Sequence, residues 1–113
     1  MDISFNGIET KVITFYGPNV SVGDLVIITQ NYTVEKCADG DEFIGIVISK
    51  RGEYVGVQTS GYIEISSMAS SVPYGYVTMT STGSNGIQKS DTAVKAHLVV
   101  KKDAMRDIVG FIL

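Results

Sequence analysis

The 113-residue chain is predicted to be all-β: a small single-domain sandwich or partly closed barrel of short, mostly antiparallel strands, with an N-terminal arm. Three observations predict it. Val (14), Ile (13) and Thr (9) supply 36 β-branched residues against only 8 Leu plus Ala, the reverse of a helical domain's usage. Short apolar or alternating runs recur along the whole chain. Gly, Asn and Asp separate those runs at turn-sized intervals. A hydrophobic content of 44% with 19% charge is too apolar for a disordered chain, and one domain of this length can bury about two-thirds of its surface.

Strands are expected over residues 11–16, 25–29, 33–36, 43–49, 54–59, 61–65, 75–80, 93–101 and 108–113. Gly17-Pro18-Asn19, Gln30-Asn31, Asp39-Gly40, Arg51-Gly52, Ser60-Gly61 and Ser84-Asn85-Gly86 supply the turns. Phe43-Ile44-Gly45-Ile46-Val47-Ile48 has no polar residue, so both of its faces should be buried. Tyr54-Val55-Gly56-Val57-Gln58 and Tyr62-Ile63-Glu64-Ile65 alternate, which suits strands with one wet face. The short links between these runs predict an antiparallel meander over 43–65. One helical turn is conceivable over 66–71 and another over 103–106. The Ser/Thr/Gly-rich stretch 80–86 reads as an exposed loop tip. Ile108 to Leu113 is apolar to the last residue, so it belongs in the core or in a subunit interface. One domain spans 1–113, with 1–17 either an N-terminal arm or the first strand.

The chain also echoes itself. Val34-Glu35-Lys36 with 41–48 resembles Val99-Val100-Lys101 with 106–113, and Gly45 falls on Gly110. A glycine inside a buried strand marks a bulge, a bend or a close backbone approach.

Little in the sequence points to chemistry. Nine Lys plus Arg against twelve Asp plus Glu leave a net charge of −3, with no basic stripe of the kind nucleic acid demands. No run is apolar enough to span a bilayer, and the N-terminus lacks the features of a signal peptide. The lone Cys37 fits synthesis in a reducing cytoplasm. His97 is the single histidine, so any metal cluster or catalytic triad built on histidine would have to use it; an ordinary strand histidine on a polar face is the alternative. Cys37 follows Lys36, and a neighbouring cation can activate a thiol. Asp39, Asp41 and Glu42 crowd around Gly40 without the longer alternation of a calcium loop, which leaves a solvated acidic turn. Glu53 and Glu64 lie on neighbouring expected strands as ordinary exposed carboxylates. No catalytic, cofactor-binding or metal-binding residue is assigned. Six Tyr and four Phe remain as interaction material, since aromatic side chains enrich interface cores.

One pattern of residues carries a resemblance. Ser21-Val22-Gly23-Asp24-Leu25-Val26 is followed by Tyr32-Thr33-Val34-Glu35-Lys36, by Asp41-Glu42-Phe43-Ile44-Gly45-Ile46-Val47, and then by Val55-Gly56-Val57-Gln58 and Gly61-Tyr62-Ile63-Glu64-Ile65. Over residues 21–65 this order resembles the small head-decoration and capsid-stabilising proteins of tailed bacteriophages and prophages. The resemblance implies a non-enzymatic module that forms a homo-oligomer, often a trimer, and clamps a capsid lattice through the major capsid protein. It further implies synthesis in a bacterial cytoplasm and residence on the virion surface. An N-terminal arm would then comprise Ile3, Phe5, Ile8, Val12, Ile13, Phe15 and Tyr16, unless 11–16 is the domain's own first strand. Extended segments of this kind can add a strand to a neighbour's sheet edge. The expected interface residues are Ile3, Phe5, Ile8, Val12, Phe15, Tyr16, Tyr74, Tyr76, Phe111 and Leu113. The alternative is a β-rich binding module of a phage head fibre or tail, or a carbohydrate-binding domain.

Overall fold

A computed structural model describes residues 10–66, 72–103 and 105–113. Ten strands and no helix occur among them. Strands β1 (Lys11–Tyr16), β2 (Leu25–Gln30), β3 (Thr33–Lys36), β4 (Gly45–Arg51) and β5 (Tyr54–Ser60) close into a barrel in the order β1-β3-β2-β4-β5. Strands β6 (Tyr62–Ser66), β7 (Gly75–Ser81), β8 (Ile87–Lys89), β9 (Ala96–Asp103) and β10 (Ile108–Ile112) form an open sheet ordered β6-β10-β9-β7-β8. Every pairing is antiparallel except β1 with β3. The protein is therefore the all-β domain that the composition predicts, a closed barrel joined to a second sheet.

Two cores explain the apolar patterning. Phe15, Val20, Val26, Val34, Val47, Val55 and Val57 fill the barrel, with Ile44 packed against them. Leu25, Phe43, Ile63, Ile65, Val72, Val77, Met79, Ile87, Val99, Val109, Phe111 and Cys37 form a second core, on which Ile27, Ile46 and Leu113 rest. Strand β2 alternates between the two, sending Leu25 and Ile27 to one and Val26 to the other. The 43–48 run does the same, which is why it needs no polar residue as far as Val47. Ile48 departs from the expectation and is 44% exposed. It is the extra residue of a bulge between Val47 and Ser49 in the β4–β5 ladder, and a bulge turns its side chain off the regular face.

The expected 43–65 meander breaks at Gly61. Strands β4 and β5 pair, but β6 leaves the barrel and pairs with β10. Gly61 takes φ +95°, and a Cβ there would crowd Thr10, so a residue without a side chain makes the crossing from one sheet to the other. The 80–86 stretch is likewise not an exposed tip: Thr80, Ser81 and Gly86 are buried. Strand β7 runs through Ser81 and pairs with β8, a three-residue strand absent from the expected set. The Ser81 amide donates to the Asp41 carbonyl (2.8 Å), and the Ser81 carbonyl accepts from Gly40 (2.9 Å). The echo is not a structural repeat, because β9 pairs directly with β10 whereas β2 stands between β3 and β4. Asp103 Oδ1 accepts the Met105 and Arg106 amides in a turn (both 3.2 Å). The other expected helical turn, within 66–71, lies outside the described residues apart from Ser66, which ends β6.

Residues 11–16 are settled as a strand of the barrel itself, paired along their length with β5. The rest of the expected arm, with Ile3, Phe5 and Ile8, lies outside the described residues.

An amide clasp ties the 82–86 loop to the barrel. Asn85 Nδ2 donates to Asp24 Oδ1 (2.9 Å), while Asn85 Oδ1 accepts the Leu25 amide (3.1 Å). Asp24 Oδ2 accepts the Ser21 amide as well (2.9 Å). Asn85 holds φ 61°, a left-handed conformation that Asn tolerates better than most residues. Asn85→Ala is expected to cost about 2 kcal/mol, because Leu25 and Asp24 both lose a partner at a part-buried site. Thermal denaturation checks this, with a Tm lower by about 8 °C at this chain length.

Candidate interaction surface

The residues that carried possible chemistry all take structural places. His97 is not on a polar face: it is 4% exposed and sits in the second core. Its ring stacks on Phe43 (centroids 5.2 Å, planes 17° apart) and meets Phe111 edge-on (5.5 Å). Nδ1 lies 3.2 Å from the Ile112 carbonyl, a hydrogen bond when that nitrogen carries the proton. Burial pushes the His97 pKa below its ordinary 6.5, reinforced by Lys95 and opposed by the Ile112 carbonyl and Glu42. The sign of the pH effect follows. Above the unfolded pKa both states hold neutral imidazole, and as pH falls below it the unfolded chain binds a proton that the folded chain refuses. Stability is therefore present near neutrality and is lost as pH falls toward the folded pKa. Melting curves from about pH 7 to about pH 5.5 should show a falling Tm, and His97→Phe, which keeps a stacking ring, should flatten that fall.

Cys37 is buried, and its thiol is pushed up to about 12 by burial and by the charge of Asp41. That is the opposite of the activation that Lys36 suggested. The acidic turn is not merely solvated either. Glu42 Oε1 accepts the Val94 and Lys95 amides (2.9 and 3.1 Å), Asp39 Oδ1 accepts from Gln88 Nε2 (2.9 Å), and Asp41 Oδ2 accepts the Ala38 amide (2.8 Å). Two of the three carboxylates thus pin the β3–β4 connection to the second half of the chain. Glu64 accepts from the Tyr62 hydroxyl (2.8 Å) and pairs with Lys101 (3.1 Å), which hold it below the usual carboxylate range. Glu53, in contrast, lies in the β4–β5 turn of the barrel, so the two glutamates belong to different sheets. Among the described residues no cluster of three or more His, Cys, Asp or Glu is placed to hold a metal ion. No helix there is long and apolar enough to cross a membrane.

Apolar and aromatic side chains stand among the exposed residues in two places. On the barrel, Tyr16 and Tyr54 meet edge to face (5.7 Å) across the β1–β5 pair, and Val12 is 49% exposed on the same strand. Gly56 leaves a shallow groove there, bordered by Val12, Thr14, Ser49, Arg51 and Tyr54. On the open sheet a second row crosses four strands. Tyr62 stands opposite Ile112, Ile112 opposite Leu98, and Leu98 opposite Tyr76, which is 78% exposed. Beside it Tyr74 is exposed, with Lys102 Nζ 5.3 Å from its ring centre.

Of the expected interface residues, Val12, Tyr16, Tyr74 and Tyr76 are therefore on the surface. Phe15 and Phe111 are core residues, one in each core, and Leu113 is half-buried with its amide donating to Gly61 (2.9 Å). Strand β10 lies between β6 and β9, which accounts for the apolar C-terminal run. Tyr54, Ile28 and Tyr32, which the expected interface set did not name, are exposed as well. Tyr32 is exposed with φ 56°, a strained conformation for a bulky side chain, and its place directly after the Gln30-Asn31 turn signal was the available clue.

No protein-family model matches this chain, and no curated protein matches it in sequence.

Proposed function

We propose that this is a non-enzymatic structural protein of a tailed-phage or prophage head, a decoration or stabilisation protein that self-associates and binds the lattice of the major capsid protein. The observation that carries the reading is a pair of outward apolar and aromatic rows: the exposed Val12, Tyr16 and Tyr54 on the barrel and, on the sheet, the half-buried Tyr62, Ile112 and Leu98 leading to the exposed Tyr76. Both stand on rigid, paired strands, and presenting aromatic anchors without disordering the backbone keeps the entropic cost of association low. The 21–65 sequence pattern supplies the phage assignment. The chain would be made in a bacterial cytoplasm and end on the virion surface.

The test is co-sedimentation of the purified chain with expanded heads of the phage or prophage that encodes it, together with its mass by light scattering. A homo-oligomer that sediments with heads is expected. A monomer that stays in the supernatant would sink the proposal. The Tyr54 groove, with Arg51 and Ser49 at its border, favours a second reading as a sugar-binding module of a head fibre or tail. Binding on a glycan array by a chain without affinity for heads would select it.

A further inference from the structure

We infer that the second edge of β1 is the surface through which two copies of this chain pair, an inference that rests on the self-association just proposed. Strand β1 is hydrogen-bonded along its length to β5 on one side, yet on the other it meets β3 only at Tyr16. The amide of Tyr16 points to that second side, donating to the Tyr32 carbonyl (2.7 Å), and the amide of Gly17 points back toward β5, donating to the Glu53 carbonyl (2.8 Å). Main-chain groups alternate sides along a strand, so those of Thr14 and Val12 share the direction of Tyr16. No described strand receives them.

The edge is thinly protected. Natural sheet edges are blunted with Lys, Pro or inward charges, and here Lys11 at the start of the strand is the one charge: Val12-Ile13-Thr14-Phe15-Tyr16 carries none and no proline. Val12 and Ile13 are 49% and 48% exposed, so apolar surface flanks the open groups. A strand of this composition fits another copy of itself. Antiparallel pairing centred on Ile13 sets Val12 of one copy opposite Thr14 of the other, twice, and these are the residues whose main-chain groups point outward. Four N–H···O=C bonds result. Lys11 then faces Phe15 rather than a second Lys11, so no like charges oppose each other. The pair has two-fold symmetry and closes, so each β1 edge is used once and cannot carry the stacking further.

The test measures mass by sedimentation equilibrium and amide exchange by NMR, both on the full chain across a concentration series. Dimeric mass, with Val12 and Thr14 amides protected only in the associated species, is expected. Thr14→Pro removes an outward N–H without touching the β5 ladder, and Ile13→Lys places two lysines at the two-fold axis. Each should weaken association at least about tenfold, while an unchanged circular dichroism spectrum shows that the fold is kept. An oligomer that survives both variants, or a trimeric mass, overturns the edge assignment and leaves the proposed function standing. Protection of these amides in the monomer also overturns it, since the chain then covers its own edge. A wild-type chain that stays monomeric throughout defeats both.

Discussion

Gly45→Ala is expected to destabilise the protein by about 3 kcal/mol and to lower its Tm by about 12 °C. Gly45 lies where β4 passes between β2 and β5, opposite Val26. A Cβ at this position would overlap the Gln58 carbonyl oxygen and press on the Val57 side chain. The obstacle is backbone, held in the β4–β5 ladder, so it cannot rotate away as a side chain would. Either the ladder opens locally or the barrel wall shifts, and both disturb the core around Val47 and Val57. Gly110, its counterpart in the sequence echo, gives the control. A Cβ there meets the hydroxyl end of Tyr62, a side chain that can swing off the sheet with loss of its bond to Glu64. Gly110→Ala should therefore cost less than half as much. Chemical denaturation of the two variants side by side checks the ranking; equal losses would mean that the close approach at Gly45 is not what excludes a side chain there.

Phe111→Ala should have a still larger effect, about 4 kcal/mol, with a Tm fall of about 15 °C. Phe111 is fully buried, pairs across the sheet with Ile63 and Val99, and packs against Phe43 and His97. Removing the ring leaves a cavity among side chains of three strands and the β3–β4 connection, and β9 and β10, each paired on both sides, cannot move in to fill it. Phe111→Leu, which restores much of the volume, should recover more than half of the loss. The cavity also lies beside His97, so the alanine variant should lose part of the acid sensitivity described above as water gains access to the imidazole. Melting curves at two pH values read both effects.

These two residues also show how far the sequence could be read. The absence of polar residues from 43–48 predicts burial of both faces, which holds as far as Val47, and of the two places open to the apolar finish at 108–113, core or subunit interface, β10 takes the core. Strands β1 and β3 fall where alternation and turn residues put them. What could not be read depended on partners distant in the chain. Ala96-His97-Leu98-Val99-Val100 is apolar on both sides of the histidine, so periodicity could not say which face His97 takes; the core it occupies is completed by Phe43, far upstream. The acidic turn looked solvated because the amides that bind Glu42 are those of Val94 and Lys95, about fifty residues away. Strand β8 has only three residues, directly after the Ser84-Asn85-Gly86 turn, too short for any period to register. The surface was partly legible: Tyr16, Tyr74 and Tyr76 were singled out as aromatics. Phe15 and Phe111, chosen on the same ground, are core, since aromatic identity does not distinguish an anchor from a core ring.

That this chain acts by assembling rather than by chemistry is tested most directly by its mass in solution. Light scattering across a concentration series spanning about 1 to 100 µM should show a homo-oligomer that dissociates on dilution, as expected for strand and aromatic contacts of modest area. A mass of one chain at every concentration would contradict it.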